Sequence, residues 1–114
     1  MMAAAAAAGR GLKVVLLEKN DSLGKKLLIT GGGRCNLTNA EYDTRALLAH
    51  YSDAASFLHS PFSQHNVKDT LDFFHGHSMQ TKVEDRKRVF PLSDSAQSVW
   101  DVLVSELTRL NVNV

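Results

Sequence analysis

Three consecutive glycines, followed by a cation and a thiol, form the stretch of this sequence best suited to holding a ligand. Gly31, Gly32 and Gly33 can adopt positive φ angles without steric cost and let a ligand approach the backbone closely. Successive exposed N–H groups in such a loop can form an anion-binding nest, and Arg34 could add charge-assisted hydrogen bonds to a phosphate. A flexible turn with solvated basic residues has the same composition, so these residues alone leave both interpretations open.

Cys35 is the only cysteine in the chain. A thiolate beside Arg34 would be a redox candidate, but a redox-active disulfide needs a second cysteine. We therefore predict a small packed side chain, because free cysteine usually behaves as a buried hydrophobe. A single cysteine also indicates a reducing compartment, and we expect a cytoplasmic protein.

The residues before the glycines resemble the second half of a βαβ nucleotide-binding unit. Met1–Ala8 consists of strong helix formers, and Gly9 and Gly11 are typical of a helix end. Leu12–Glu18 is an apolar run typical of a strand buried on both faces of a parallel sheet. In such a unit an acidic residue at the strand end binds the adenosine ribose, and Glu18 has that position. The residues alone favour a simpler interpretation, a polar residue that ends a strand.

The rest of the chain alternates predicted helices and short strands. In order, we predict a helix over Thr44–Leu58 that Ser52 and Asp53 interrupt, a helix capped by Asn66 and ended by Gly76, two short strands within Met79–Ser93 around a turn at Glu84–Lys87, a helix capped by Asp94, and a strand beginning at Asn111. The last helix carries one apolar stripe formed by Ala96, Val99, Trp100, Leu103, Leu107 and Leu110. Trp100 is therefore predicted to belong to the core.

Composition argues against several classes of function. The chain has 114 residues, 44% hydrophobic and 22% charged, with a net charge of +1, so no global field recruits nucleic acid or an anionic membrane. No apolar stretch is long enough to span a bilayer. His75-Gly76-His77 offers only two ligands, and zinc sites need three or four. We expect no metal, no nucleic-acid partner and no membrane partner.

Two blocks of the sequence resemble a known family. "LLEKNDSLGKKLLITGGGRCNLTNA", from Leu16 to Ala40, closely resembles the signature of the FAD-binding, NAD(P)/FAD-dependent oxidoreductases of the BaiN/YhiN type, also called aminoacetone oxidase-like. "RVFPLSDSAQSVWDVLVSEL", from Arg88 to Leu107, is similar to a second block of that family. The resemblance covers nearly the whole chain and is least specific between Glu41 and Val83.

The resemblance implies a fold, a cofactor and a chemistry. The fold class would be α/β, a partial Rossmann-type FAD-binding domain lacking its first strand and Gly-x-Gly-x-x-Gly loop. Residues 1–114 would all be part of that domain, within a protein about three times as long. FAD would be the cofactor, with NAD(P)H as a possible electron donor and an unknown small molecule as substrate.

The resemblance also assigns residues to the cofactor. Glu18 would hold the adenosine ribose, Lys19 would lie beside the adenine, and Lys26 with the run Thr30–Asn36 would line the path from pyrophosphate to isoalloxazine. The cofactor-binding residues implied are Glu18, Lys19, Lys26, Thr30, Gly31, Gly32, Gly33, Arg34, Cys35 and Asn36. The resemblance assigns no catalytic acid or base.

Two alternatives remain open at this point. Flavoproteins with a similar glycine-rich FAD domain act in tRNA modification, where a basic face elsewhere in the protein would be expected. The chain could also be an inactive partial fragment with no independent activity. We further predict that the isolated chain is poorly soluble or partly folded, because a neighbouring strand would be left with an unpaired edge.

Overall fold

The computed structural model describes all residues from 1 to 114. Its elements, in chain order, are α1 (Met2–Gly9), α2 (Lys25–Ile29), β1 (Thr38–Asn39), α3 (Thr44–Leu48), α4 (Ala55–Gln64), α5 (Val67–Gly76), β2 (Thr81–Glu84), β3 (Arg88–Pro91) and α6 (Ala96–Arg109). Short segments of 3₁₀-type turns, each interrupted by at least one residue with positive φ, occupy Thr30–Gly33, Ala49–Ala54 and Asp85–Lys87. None of the helices is both long enough and apolar enough to cross a bilayer. The mixture of helices and strands is the α/β class predicted from the sequence.

The chain divides into two compact units, and the first comprises residues 1–35 and 93–114. In this unit α1 and α2 both pack on α6. The apolar stripe predicted for α6 faces inward, since Ala96, Val99, Leu103 and Leu107 are all buried. Trp100 is half-buried, with its indole N–H hydrogen-bonded to a backbone carbonyl. The first unit is therefore a small helical layer built on α6.

The start of α6 differs from the prediction. Ser95, not Asp94, is the N-cap, because the Ser95 hydroxyl accepts a hydrogen bond from the backbone N–H of Gln97 at 3.2 Å. Asp94 instead has a φ of 55° and directs its carboxylate to Arg34. Aspartate and serine are comparable caps, and in this structure the aspartate is paired with a distant cation while the serine caps the helix.

The prediction of a strand buried on both faces over Leu12–Glu18 is also wrong. The segment forms a single parallel bridge, between Val15 and Asn113. The strand predicted to begin at Asn111 is therefore present only as this one bridge. The side chains of the Leu12–Glu18 segment are not buried on two faces: Leu12 is 62% exposed and Leu17 is 90% exposed. A strand buried on both faces needs strands beside it and layers above and below it, and in this structure one bridge is its only sheet pairing.

The second unit, residues 36–92, is built around an antiparallel sheet with the strand order β1-β3-β2. The β2–β3 hairpin confirms the two predicted strands, with Val83 opposite Val89. The two-residue strand β1 was not predicted; it pairs Thr38 with Val89. The core of this unit consists of Ala40, Leu47, Val67, Leu71 and Val89, with Leu37 and Phe62 packed against it.

The helices of the second unit follow local signals. The predicted interruption of the first helical run is confirmed at Ser52, whose φ of 45° and ψ of −122° separate α3 from α4. The continuation of α4 to Gln64, past Pro61, was not predicted. Asn66 caps α5 as predicted and forms a capping box with Asp69.

The exposed apolar side chains of residues 12–17 generate a prediction about solubility. An extended segment with apolar side chains and unpaired backbone is a template for pairing with a second chain. We expect Leu17→Lys to raise the monomer fraction of the 114-residue chain in sedimentation velocity, because a charge at an edge disfavours pairing. Phe57→Lys, which removes a 77%-exposed apolar side chain from α4, is the matched control. An equal gain from both variants would refute the edge as the cause of association.

Candidate functional site

The glycine stretch forms an open loop of left-handed backbone. The φ angles of Gly31, Gly32 and Gly33 are 56°, 67° and 83°, and all three residues are exposed. A Cβ built on Gly32 would meet no atom within 4 Å. The loop is closed by a hydrogen bond from the Cys35 N–H to the Thr30 carbonyl at 3.0 Å. Glycine adopts positive φ without steric cost, which explains why all three positions are glycine. Because these residues have no side chains, the backbone of the loop is left accessible.

A contact from α6 fixes the helix that leads into this loop. The Trp100 indole N–H donates to the Leu23 carbonyl oxygen at 2.7 Å. Gly24, the N-cap of α2, has a φ of 70°, and a Cβ placed on it would lie 2.9 Å from Trp100 Cδ1. At the other end of α2 the Thr30 hydroxyl donates to the Leu27 carbonyl at 2.7 Å. The loop therefore begins from a short helix held at both ends.

Arg34 follows the glycines and pairs with Asp94. Its Nη1 lies 3.1 Å from Asp94 Oδ1, and the side chains are 33% and 45% exposed. An ion pair exposed to this degree adds at most about 1 kcal/mol to stability, so its main effect is to orient the guanidinium beside the loop. The sequence predicts Asp94 as a helix N-cap. It does not predict the pairing with Arg34, because the two residues are 60 positions apart and no local pattern relates them.

Glu18 ends the extended segment and is fully accessible. The Asn20 backbone N–H donates to its carboxylate at 2.9 Å. This hydrogen bond, with a second from the Asn20 side chain, lowers the pKa of Glu18 below its ordinary value. Lys19 and Lys26 are also exposed, while Lys25 pairs with Asp21. These side chains are oriented only by local contacts and remain available to a ligand.

Cys35 and Asn36 end the run of predicted site residues and belong to different units. Cys35 is buried, 7% exposed, with a φ of 58°, and forms no disulfide. Asn36 is the first residue of the second unit. With its amide nitrogen turned towards them, it donates to the carbonyls of Thr38 at 3.1 Å and Val89 at 3.3 Å. Nine of the ten predicted residues thus lie in the first unit, while Asn36 stabilises strand pairing in the second.

Three of the five histidines, His65, His75 and His77, form local hydrogen bonds. The His75 ring lies 2.8 Å from the Thr81 hydroxyl, and the His77 ring lies 2.7 Å from the Phe73 carbonyl oxygen. No group of three or more His, Cys, Asp or Glu side chains is arranged to hold a metal ion. The residues that fit a ligand best are therefore those of the glycine loop and its neighbours.

Comparison with known proteins identifies the class to which this arrangement belongs. The sequence model of the HI0933-like protein Rossmann domain matches residues 1–114, and the chain therefore belongs to the HI0933-like family. This assignment confirms the family resemblance and the Rossmann-type fold class expected from the sequence.

Two curated relatives match nearly the whole chain. The 3-dehydro-bile acid delta(4,6)-reductase of Clostridium scindens is 35% identical over 111 residues, which are 97% of this chain and 26% of the reductase. The ribosomal RNA dihydrouridine synthase of Escherichia coli is 32% identical over 112 residues, which are 98% of this chain and 27% of the synthase. The chain thus spans about a quarter of the length of these relatives.

The contact between Gly24 and Trp100 can be tested by comparing two alanine substitutions. Gly24→Ala and Gly11→Ala both place a Cβ on a left-handed residue, which costs about 1–2 kcal/mol. At Gly11 nothing lies within 4 Å, whereas at Gly24 the Cβ would collide with the indole. We expect Gly24→Ala to lower the free energy of unfolding by about 1–3 kcal/mol more than Gly11→Ala. Urea titration followed by circular dichroism measures the difference; equal losses would contradict the proposed steric contact.

Proposed function

We propose that this chain is the FAD-binding part of a flavoprotein oxidoreductase that takes electrons from a reduced nicotinamide and reduces a small organic substrate. The single observation that carries the proposal is the match of the family's Rossmann domain to all 114 residues. The proposal includes the assignment of residues 1–114 to one FAD-binding domain and a cytoplasmic location.

The geometry of the glycine loop supports a dinucleotide ligand. Exposed left-handed glycine backbone suits the close approach of a phosphate or a flat ring. Arg34 would contribute a cation already oriented by Asp94, and Lys26 would supply a second positive charge. Glu18 presents an ionised carboxylate, the acceptor that ribose hydroxyls require. Cys35 and Asn36 would contribute through backbone and packing, because one is buried and the other is bonded to strand carbonyls.

FAD, when bound, would supply the hydride chemistry. The residues of this chain would bind and orient the cofactor. Arg34 would place positive charge beside it, and Glu18 would fix its adenosine end. None of these roles requires a general acid or base, and the proposal assigns none to this chain.

The names of the two relatives support a reduction as the overall reaction. One is a reductase of a 3-dehydro-bile acid whose delta(4,6) positions denote carbon–carbon double bonds. The other forms dihydrouridine, which is uridine with its ring double bond saturated. In each of the two substrates the double bonds are conjugated to a carbonyl group. The two relatives act on unlike substrates, yet both match nearly the whole of this chain. We therefore propose that this chain serves the step that the two reactions share, which is hydride delivery to a conjugated double bond.

A second candidate function follows from the Escherichia coli relative alone. The chain would then belong to an enzyme that reduces uridine within RNA. This candidate resembles the RNA-modifying alternative considered for the sequence, although the relative acts on ribosomal RNA rather than tRNA. The net charge of +1 supplies no general attraction to RNA, so we rank it second.

Flavin absorption of the purified chain, with and without added FAD, tests the cofactor proposal. We expect perturbed flavin bands for the wild type and about tenfold weaker binding for Glu18→Gln, since a charged acceptor of the ribose hydroxyls is lost. Asp72→Asn, on α5, is the matched control and should bind FAD as the wild type does. No flavin signal from a folded chain, or equal binding by Glu18→Gln, would contradict the assignment.

The same titration has a predicted pH dependence. Because the Asn20 N–H lowers the pKa of Glu18, the carboxylate stays ionised at neutral pH and loses its charge at a lower pH than an ordinary glutamate does. The Glu18 contribution to FAD binding should therefore be constant at neutral pH and should be lost only as the pH falls through the lowered value. If the Glu18 contribution to FAD affinity were already lost at a pH above the ordinary glutamate pKa, the predicted lowering of the Glu18 pKa would be contradicted.

Two electron acceptors distinguish the candidate functions. The FAD-loaded chain, reduced without oxygen by NADH or NADPH, would be mixed with a 3-oxo-Δ4 steroid or with uridine-containing RNA. Reoxidation by the steroid favours the first candidate, and reoxidation by RNA alone favours the second. Failure of both nicotinamides to reduce bound flavin would refute the proposed electron donor for this chain.

A further inference from the structure

The second unit contains a pocket that the glycine loop does not involve. It has a volume of about 500 Å³, is open to solvent, and is lined in part by Asn39, Glu41, His50, Tyr51, Arg86 and Lys87. These residues come from β1, the loop that follows it, the 3₁₀ segment after α3, and the turn between β2 and β3. All of them lie within residues 36–92.

The basic turn of this pocket has an unfavourable backbone conformation. Arg86 and Lys87 have φ angles of 59° and 58°, in the left-handed region where a side chain raises the energy. Hydrogen bonds hold both residues there: Asn39 Nδ2 donates to the Arg86 carbonyl at 3.0 Å, and the Ala40 N–H donates to the Lys87 carbonyl at 2.7 Å. Glycine would adopt this turn without strain, so the two basic side chains are present despite the cost.

The charges of the pocket leave one guanidinium available. Lys87 is paired with Glu41, and its ammonium lowers the pKa of that carboxyl. Arg86 is exposed and makes no ion pair. A guanidinium presents planar donors that match a carboxylate or a phosphate in a bidentate contact. One carboxylate therefore faces two cations, with His50 beside them, and the pocket favours an anion.

The pocket also offers a flat apolar surface. Tyr51 is 45% exposed at its rim, and its ring lies 6.4 Å from that of Phe62, which packs on the core of the second unit. Leu47, a core residue, contributes to the lining. A supported aromatic ring next to an unpaired guanidinium can stack on a ring-containing ligand while its anionic group is bound.

We propose that this pocket is a second binding site, for a flat ring-bearing organic anion. The ligand would be a carboxylate or a phosphate monoester, held at its charged end by Arg86 and Lys87 and along its ring by Tyr51. The proposal does not depend on flavin binding, because every residue invoked belongs to the second unit and the observations are local.

Binding of model ligands tests this assignment directly. The ¹⁵N-labelled 114-residue chain would be titrated with 2-naphthoate, with 2-naphthyl phosphate and with neutral 2-naphthalenemethanol. We expect shifts in the amides of Asn39, Tyr51, Arg86 and Lys87, and about tenfold tighter binding of at least one anion than of the neutral alcohol. A preference for the carboxylate or for the phosphate identifies the anionic group.

Arg86→Gly separates binding from folding in this test. It removes the guanidinium and also the left-handed strain, so the unfolding temperature should rise by a few degrees while anion affinity falls about tenfold. Ser78→Gly is the matched strain control, because Ser78 has a φ of 62° outside the pocket and should leave affinity unchanged. Lys68→Gln on α5 is the control for loss of a surface cation.

The outcomes distinguish the site from a merely structural turn. Loss of affinity in a stabilised Arg86→Gly variant, with both controls binding normally, supports the proposal. Equal binding of anions and alcohol, unchanged affinity in Arg86→Gly, or shifts confined to other residues would each overturn it. Binding of an RNA oligonucleotide with no response to either naphthyl anion would also overturn it.

Discussion

The hydrogen bond from the Trp100 indole to the Leu23 carbonyl, with Gly24 pressed against the ring, is the constraint on which the glycine loop depends. It fixes the beginning of α2, and the loop begins one residue after α2 ends. A second restraint comes from Asp94, which lies just before α6. Its carboxylate pairs with Arg34, the residue that follows the three glycines. Both restraints come from the segment 94–100, so the packing of one helix positions the entire loop. A loop with almost no side chains can restrain itself only through backbone hydrogen bonds, such as the one from Cys35 to Thr30, so its other restraints come from residues outside it.

The two candidate sites solve the problem of left-handed backbone in different ways. At the glycine loop no side chain is wanted, because the backbone itself is the surface, and glycine adopts positive φ without strain. At the turn over Asp85–Lys87 the side chains would be the binding groups, and hydrogen bonds from Asn39 and Ala40 offset the strain of the left-handed backbone. One of those bonds comes from Asn39 in the two-residue strand β1, and the other comes from Ala40, the residue that follows it. Two residues are too few to produce a periodic pattern, which explains why β1 was not predicted, and its Asn39 side chain contributes to holding the basic turn.

The accuracy of the sequence predictions follows the range of the interactions involved. The Asn66 cap of α5 and the β2–β3 hairpin depend on residues close in the chain, and the structure confirms both predictions. The Arg34–Asp94 pair joins residues 60 positions apart, and the Trp100–Leu23 bond joins residues 77 apart. No periodicity or motif identifies such partners, so Asp94 was assigned as a cap. The apolar run over Leu12–Glu18 was predicted wrongly for a different reason. Its composition favours a buried strand, but whether a strand is buried depends on which other elements pack against it, and composition does not determine that.

The local pairing of charge explains how a nearly neutral chain could still bind anions. A net charge of +1 gives no long-range attraction, so affinity must come from short-range contacts with oriented cations. At both candidate sites a carboxylate orients one cation: Asp94 orients Arg34, and Glu41 orients Lys87. Each site also has an exposed cation nearby, Lys26 in the first and Arg86 in the second. A paired cation keeps its geometry when no ligand is bound, and an unpaired one supplies the net attraction. This combination would give selectivity for anions that fit the pocket without attracting every polyanion in solution.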